Sequence, residues 1–283
     1  MNLRPYVLAA AAVVAPAALL GCPADGMTLA EAGQAMEEVA IESQASALTN
    51  GTIDLSTNFT IGQAVEHAAA ELKTFVETQL PCAEVTLASN TLTVEYGAKE
   101  GNCTYKGQTY SGKHAITVSK DDEGEVVVDH VWTSMKNQKI EVNGTATVRW
   151  NLEDPSRRVV HDLSWTRLSD GKHGEGSGDI VQKPLEGGVI EGISIEGDRA
   201  WDGDADDGAQ GWSLVVDKVE VRWVDPIPQA GSYYLTSPNG KEATLTFTRI
   251  DEDSIEAKLV TGRKEWVFVV HKSGAIEDNN TDS

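Results

Sequence analysis

Leu92-Thr93-Val94-Glu95-Tyr96 sets apolar and polar side chains in strict alternation, the period of a strand with one buried face. The same period of two recurs at Val126 to Trp132, Ala146 to Trp150, Val219 to Trp223 and Thr244 to Phe247. Asp121-Asp122-Glu123-Gly124, Ser169-Asp170-Gly171 and Pro238-Asn239-Gly240 separate such runs, each with the composition of a turn. The last falls between Tyr233-Tyr234-Leu235 and Ala243-Thr244-Leu245, a strong hairpin signal. About a dozen strands therefore follow one another from Val85 onward without a helix between them, the pattern of an antiparallel meander.

An imperfect internal repeat accompanies the alternation. Val127-Val128-Asp129-His130-Val131-Trp132-Thr133 resembles Val160-His161-Asp162-Leu163-Ser164-Trp165-Thr166, with the tryptophans 33 residues apart. Gly112, Gly144, Gly178, Gly197 and Gly231 punctuate the run at gaps of 32, 34, 19 and 34 residues. Each glycine permits a bulge or bend that curves a sheet. A long curved sheet has one concave apolar face, which something must fill.

The segment before the strands supplies the filling. Thr28-Leu29-Ala30-Glu31 reads as a capping box opening a helix with Leu29, Ala32, Met36 and Val39 on one face. Asn50-Gly51 reads as its break. A second helix opens near Thr60, with Ile61, Val65, Ala68, Leu72, Phe75 and Val76 as its apolar stripe and an end forced before Pro81. The expectation is an α+β fold, mainly β: two short N-terminal helices on a long curved meander, as a half-barrel or open barrel. A β-sandwich is the alternative. In segments, residues 28–80 hold the helices, 81–272 the meander in one domain with them, and 273–283 an acidic tail expected to be disordered.

The N-terminus reads as an address. Met1 to Arg4 carries one basic residue, and the apolar stretch from Tyr6 to Leu20 is 15 residues long, short for a spanning helix and interrupted by Pro16. It ends in Leu19-Leu20-Gly21-Cys22, which resembles the lipobox of bacterial lipoproteins. That resemblance implies a signal peptide over residues 1–21, lipidation of Cys22, a tether over 22–27, and anchoring in the cell envelope, at the outer membrane in preference to the inner. Cysteine arithmetic agrees: Cys82 and Cys103 lie 21 positions apart around one expected hairpin, and pairing them leaves Cys22 over. Lipobox, two short helices, one cysteine pair and a meander punctuated by Trp and Gly together resemble myxobacterial-type envelope lipoproteins of unassigned activity. The resemblance implies location and fold class, and no mechanism.

Charge narrows the partners. The chain carries 44 acidic against 23 basic residues, a net −21. Such a field repels nucleic acid and anionic headgroups and attracts cations or basic proteins. Searching for chemistry finds no catalytic constellation: HExxH and a nucleophile elbow are absent from the sequence, and Gly171 to Gly178 lacks the Lys-Ser/Thr of a phosphate loop and reads as a flexible or bulged hairpin. His67 and Glu71 share a helix face, and His130 and His161 sit beside tryptophans; a solvated face and satisfied strand histidines explain them. Trp132, Trp150, Trp165 and Trp223 read as core, although such a row lining a concave sheet would also hold an apolar or sugar ligand. The one metal reading is Asp202, Asp204 and Asp206 as a weak calcium loop, with Asp207 where a calcium-binding hand needs Gly and Ser213 where it needs Glu. The expected function is a non-enzymatic envelope lipoprotein binding an envelope protein or cationic partner. A carrier of an apolar ligand and a hydrolase without a visible motif are the alternatives.

Overall fold

The computed structural model describes residues 25–57, 65–105, 107–151, 154–203, 211–222 and 225–280. Two helices come first, α1 (Leu29–Thr57) and α2 (Val65–Gln79). β1 (Glu84–Ala88) and β2 (Thr91–Tyr96) form a hairpin, and a small excursion, β3 (Thr104–Tyr105) with β4 (Gln108–Thr109), interrupts the meander. The chain then runs through β5 (Ser111–Lys120), β6 (Val126–Lys136), β7 (Ile140–Asn151), β8 (Ser156–Arg167), β9 (His173–Leu185) and β10 (Gly188–Asp202). It finishes with β11 (Trp212–Arg222), β12 (Asp225–Thr236), β13 (Glu242–Arg249), β14 (Ser254–Thr261), β15 (Lys264–His271) and β16 (Ile276–Asp278). Among the described residues, 14 of these strands make one antiparallel sheet in chain order from β1 to β16, with β3–β4 apart. The sheet is curved and not closed, as the alternation and the glycines predict.

Curvature is built at bulges. Gly112 (φ 102°) faces Ser134 (φ 47°), where the β5–β6 and β6–β7 registers both shift. Gly231 (φ 94°) faces Lys218 (φ 49°) across the β11–β12 shift. At both places an added Cβ would run into the partner strand's carbonyl, at 2.1 Å and 2.4 Å, so only glycine lets the backbones approach.

Cys82 and Cys103 form a disulfide with Cα atoms 5.3 Å apart, bracketing the β1–β2 hairpin. α2 packs on β1, β2 and β5, and Leu72 and Val76 of its apolar stripe are buried. Ile61 and Thr60 lie outside the described residues, as does Cys22.

Three expectations need correction. Asn50-Gly51 does not end the first helix, which continues to Thr57. Gly51 lies against the Tyr110 hydroxyl, where a Cβ would sit 2.8 Å from the oxygen, and the Asn50 side chain is hydrogen-bonded to β9. Tertiary contact thus overrides the local breaking tendency. The Gly-rich run is a hairpin turn only at its start, at Gly171. From His173 it is regular β9, and Gly174, Gly176 and Gly178 form a floor on which Trp165, Trp201 and His161 lie. Those side chains come within 3.0, 2.6 and 2.4 Å of where a Cβ would stand. The acidic tail is partly ordered, since β16 pairs with β15 and Asn280 closes on the Val267 backbone through both amide atoms, at 2.9 and 3.0 Å.

Candidate functional site: the polar seam around the central helix

α1 starts as the capping box foretells. The Thr28 amide donates to Glu31 (2.7 Å) and the Glu31 amide donates to Thr28 Oγ1 (3.3 Å). Just before it, Met27 ties into β14 and β15 through Thr261 and Trp266. From there the helix crosses the concave face. Its first turns keep one side in solvent: Ala32, Ala35, Met36 and Val39 are buried while Ala30 and Gln34 are exposed. From Ile41 to Leu55 the enclosure is nearly complete, and only Ala47 is exposed.

The two halves are held by different chemistry. On the rim, Lys241 donates to Glu31 (2.7 Å), and Arg167 and Lys172 each donate to Glu37 (2.7 Å). The Lys241 hydrogen bond pulls Glu31 down to about 2. Inside, Arg199 of β10 donates to Glu42 (2.8 Å), with 4% and 5% of the two side chains exposed. Ser46 donates to the same carboxylate (2.7 Å). A desolvated pair survives only with such added hydrogen bonds.

One turn further on, three strands grip the helix. Trp132 Nε1 on β6 donates to Thr52 Oγ1 (2.9 Å), and Gln182 Nε2 on β9 donates to Asn50 Oδ1 (2.9 Å). Arg157 on β8 lies 3.7 Å from Asp54 and donates through Nε to Gln182. Behind Trp132 stand His114 and His130, fully buried, with His114 Nε2 and His130 Nδ1 sharing a hydrogen bond of 2.9 Å. Both rings lie nearly parallel to Trp132, with centroids 5.3 and 5.6 Å away. Burial lowers His114 to about 3 and pushes His130 well below its ordinary range, Arg157 adding to the second. His161 is held down at about 4 by burial and by Arg199.

The sequence pointed to Trp132 as core and to His130 and His161 as satisfied strand histidines. Trp132 and His130 are buried and His161 is half-buried. Among the described residues His130 Nε2 meets no hydrogen-bonding partner, so that histidine is not satisfied. The sequence did not single out His114, Arg157, Gln182, Arg199, Glu42, Thr52 or Asp54, and it took Asn50 only for part of a break. A signal was present: on β8 the inward positions read Arg157, Val159, His161, Leu163, Trp165, so a charge stands where alternation calls for an apolar residue. Trp165, Trp201 and Trp212 are buried, and Trp150 lies under the Arg157 guanidinium at 5.5 Å.

The outward face is different. Asp162, Ser177, Ala200 and Ser213 follow one another across β8 to β11, and with Glu175 and Asp202 they line a shallow groove of about 520 Å³. Asp202 ends β10 opposite Glu175; Asp204 and Asp206 lie outside the described residues. Among the described residues no group of three or more metal-ligating side chains converges. Glu71 is exposed, while the His67 side chain and Trp223 lie outside what is described. No family model, no curated protein and no solved structure matches the chain.

Proposed function

We propose that the chain is a non-enzymatic lipoprotein of the cell envelope, held at the outer membrane through acylated Cys22, that binds a basic envelope protein on the outward face of its sheet. The observation that carries this reading is the filling of the concave face: α1 is enclosed there and keyed by ion pairs. Recognition is thereby left to the exterior, where the net charge of −21 and the carboxylates of Asp162, Glu175 and Asp202 favour a cationic surface. Among the described residues no helix is long and apolar enough to cross a membrane. Attachment in this reading belongs to the lipid, and two or three acyl chains hold a protein durably.

The test has two arms. Cys22→Ser is expected to leave the membrane fraction or to stall in maturation; normal processing with retention at the membrane contradicts the anchor. A photocrosslinker at Ala200 or Ser213, used in intact envelopes, is expected to capture one discrete protein with a basic surface. Capture should weaken in high salt and with Asp162→Asn, Glu175→Gln and Asp202→Asn combined. Capture that ignores both contradicts the partner.

A further inference from the structure

The His114–His130 pair is not used by the reading above, and its placement is unusual. The two imidazoles share one hydrogen bond, so one ring donates a proton and the other accepts it. Their remaining nitrogens, His114 Nδ1 and His130 Nε2, are buried and meet no hydrogen-bonding partner among the described residues. Even neutral, the pair leaves one N–H and one lone pair unmet. A further proton would charge it in a desolvated place, which is costly.

The charged groups around it make that cost worse. From β8 the group acting on His130 is Arg157, of like sign. From α1, Asp54 is the acid at this level, and it is engaged by Arg157. Tyr110, whose hydroxyl rests on Gly51, and the neighbouring Tyr105 are both driven upward by burial and by Asp54, so they stay neutral and supply no compensating charge. His161, further along β8, feels the Arg199–Glu42 pair and the carboxylates of Asp162 and Asp179 instead.

Position turns this cost into a mechanism. Both rings stack on Trp132, and Trp132 holds Thr52. Asn50 and Asp54 are held by Gln182 and Arg157, which are bonded to each other. Together these contacts fasten the end of α1, and the pair lies directly behind Trp132.

We propose that the His114–His130 pair is an acid-operated latch: proton uptake releases the enclosed end of α1 from β6, β8 and β9 while the sheet stays folded. Withdrawal of Asn50, Thr52 and Asp54 admits water to both rings and uncovers Arg157 on the concave wall. In the open state the rings regain ordinary basicity, so below about pH 6.5 each one favours opening by about tenfold per pH unit. Two rings acting together give a slope approaching two.

Hydrogen exchange of the chain between pH 7.5 and 5, corrected for intrinsic rates, reads this directly. Peptides covering residues 45–55 are expected to lose protection by about 100-fold or more. Peptides of β13 to β15 are expected to change by less than about threefold. His114→Gln with His130→Asn keeps a hydrogen-bonding atom near each shared nitrogen and removes the titration, so the helix end should become insensitive to pH. Equal loss in helix and sheet overturns the latch, because that is global acid unfolding; so does an unchanged pH response in the double variant. Should that variant fail to fold, carbon-13 shifts of the imidazole Cε1 positions in the native sequence decide. Both rings must charge with the same midpoint as the helix opening, and opening with both rings neutral overturns the proposal.

Discussion

The two halves of α1 lie on the same concave face and are held there by opposite means. The first half is an ordinary amphipathic helix: apolar residues inward, solvent outward, and ion pairs from Glu31 and Glu37 at the rim. The second half, from Ile41, is wrapped, and its polar residues point into the protein instead of out of it. Contacts come from β6, β8 and β9 on one side, while Gln44 lies beside Gly274 at the far edge of the sheet. The difference shows what an unclosed sheet can do. It need not meet itself, because a helix with polar keys completes the enclosure.

The largest expected break in this comparison comes from Trp132→Ala. It removes a buried ring and the donor to Thr52 together, and should cost about 3–5 kcal/mol by denaturant unfolding. Leu29→Ala, in the partly buried first turn, should cost less than half as much. Equal costs would erase the distinction between the halves.

A third region sharpens it. Cys82→Ser with Cys103→Ser opens a link across 21 residues, worth about 3 kcal/mol in the chain-entropy model. Because Cys82 joins α2 to β1 and Cys103 follows β2, protection should fall there first and leave the Glu42 contacts intact.

Acid separates the halves by order of loss. His114, His130 and His161 are lowered in the fold, so the unfolded chain binds more protons between about pH 6.5 and the folded values. Stability is therefore full above that window and falls as pH drops, by about 3–4 kcal/mol between pH 6 and 5 for the three together. Glu31 and Glu37 are lowered too, and their contribution is lost only as the carboxylates take up protons below about pH 4.5. The wrapped half should thus weaken before the rim. A stability profile flat from pH 7 to 5 contradicts this account of the histidines.

The smallest effect belongs to the exterior. If Asp202, Asp204 and Asp206 gather around calcium, millimolar calcium should raise the melting temperature by a degree or two in low salt. Asp204→Asn with Asp206→Asn should abolish the rise. Identical responses would leave that segment a solvated acidic turn.

How much of this was legible follows from the same contrast. The strands were readable because inward and outward residues alternate, as in Leu92 to Tyr96, and the first half of α1 because Thr28 and Glu31 cap it and its stripe faces one way. The wrapped half was not, since a helix buried on several sides has no polar face and Thr49-Asn50-Gly51-Thr52 looks like a break until Trp132, Gln182 and Tyr110 are placed around it. Gly174, Gly176 and Gly178 misled for a related reason: they lack side chains because Trp165, Trp201 and His161 occupy the space. The seam itself could have been suspected from Arg157, a charge in the inward register of an otherwise apolar strand.

The most direct test is a pair of double-mutant cycles on α1. One cycle takes Glu42→Gln and Arg199→Met, the other Glu31→Gln and Lys241→Met. Arg199→Met alone should cost about 3–5 kcal/mol, because it strands a buried carboxylate. The Glu42–Arg199 coupling should reach about 2 kcal/mol or more, and the Glu31–Lys241 coupling should stay below about 1 kcal/mol. Couplings of equal size in the two cycles would contradict the enclosure of the helix by the sheet.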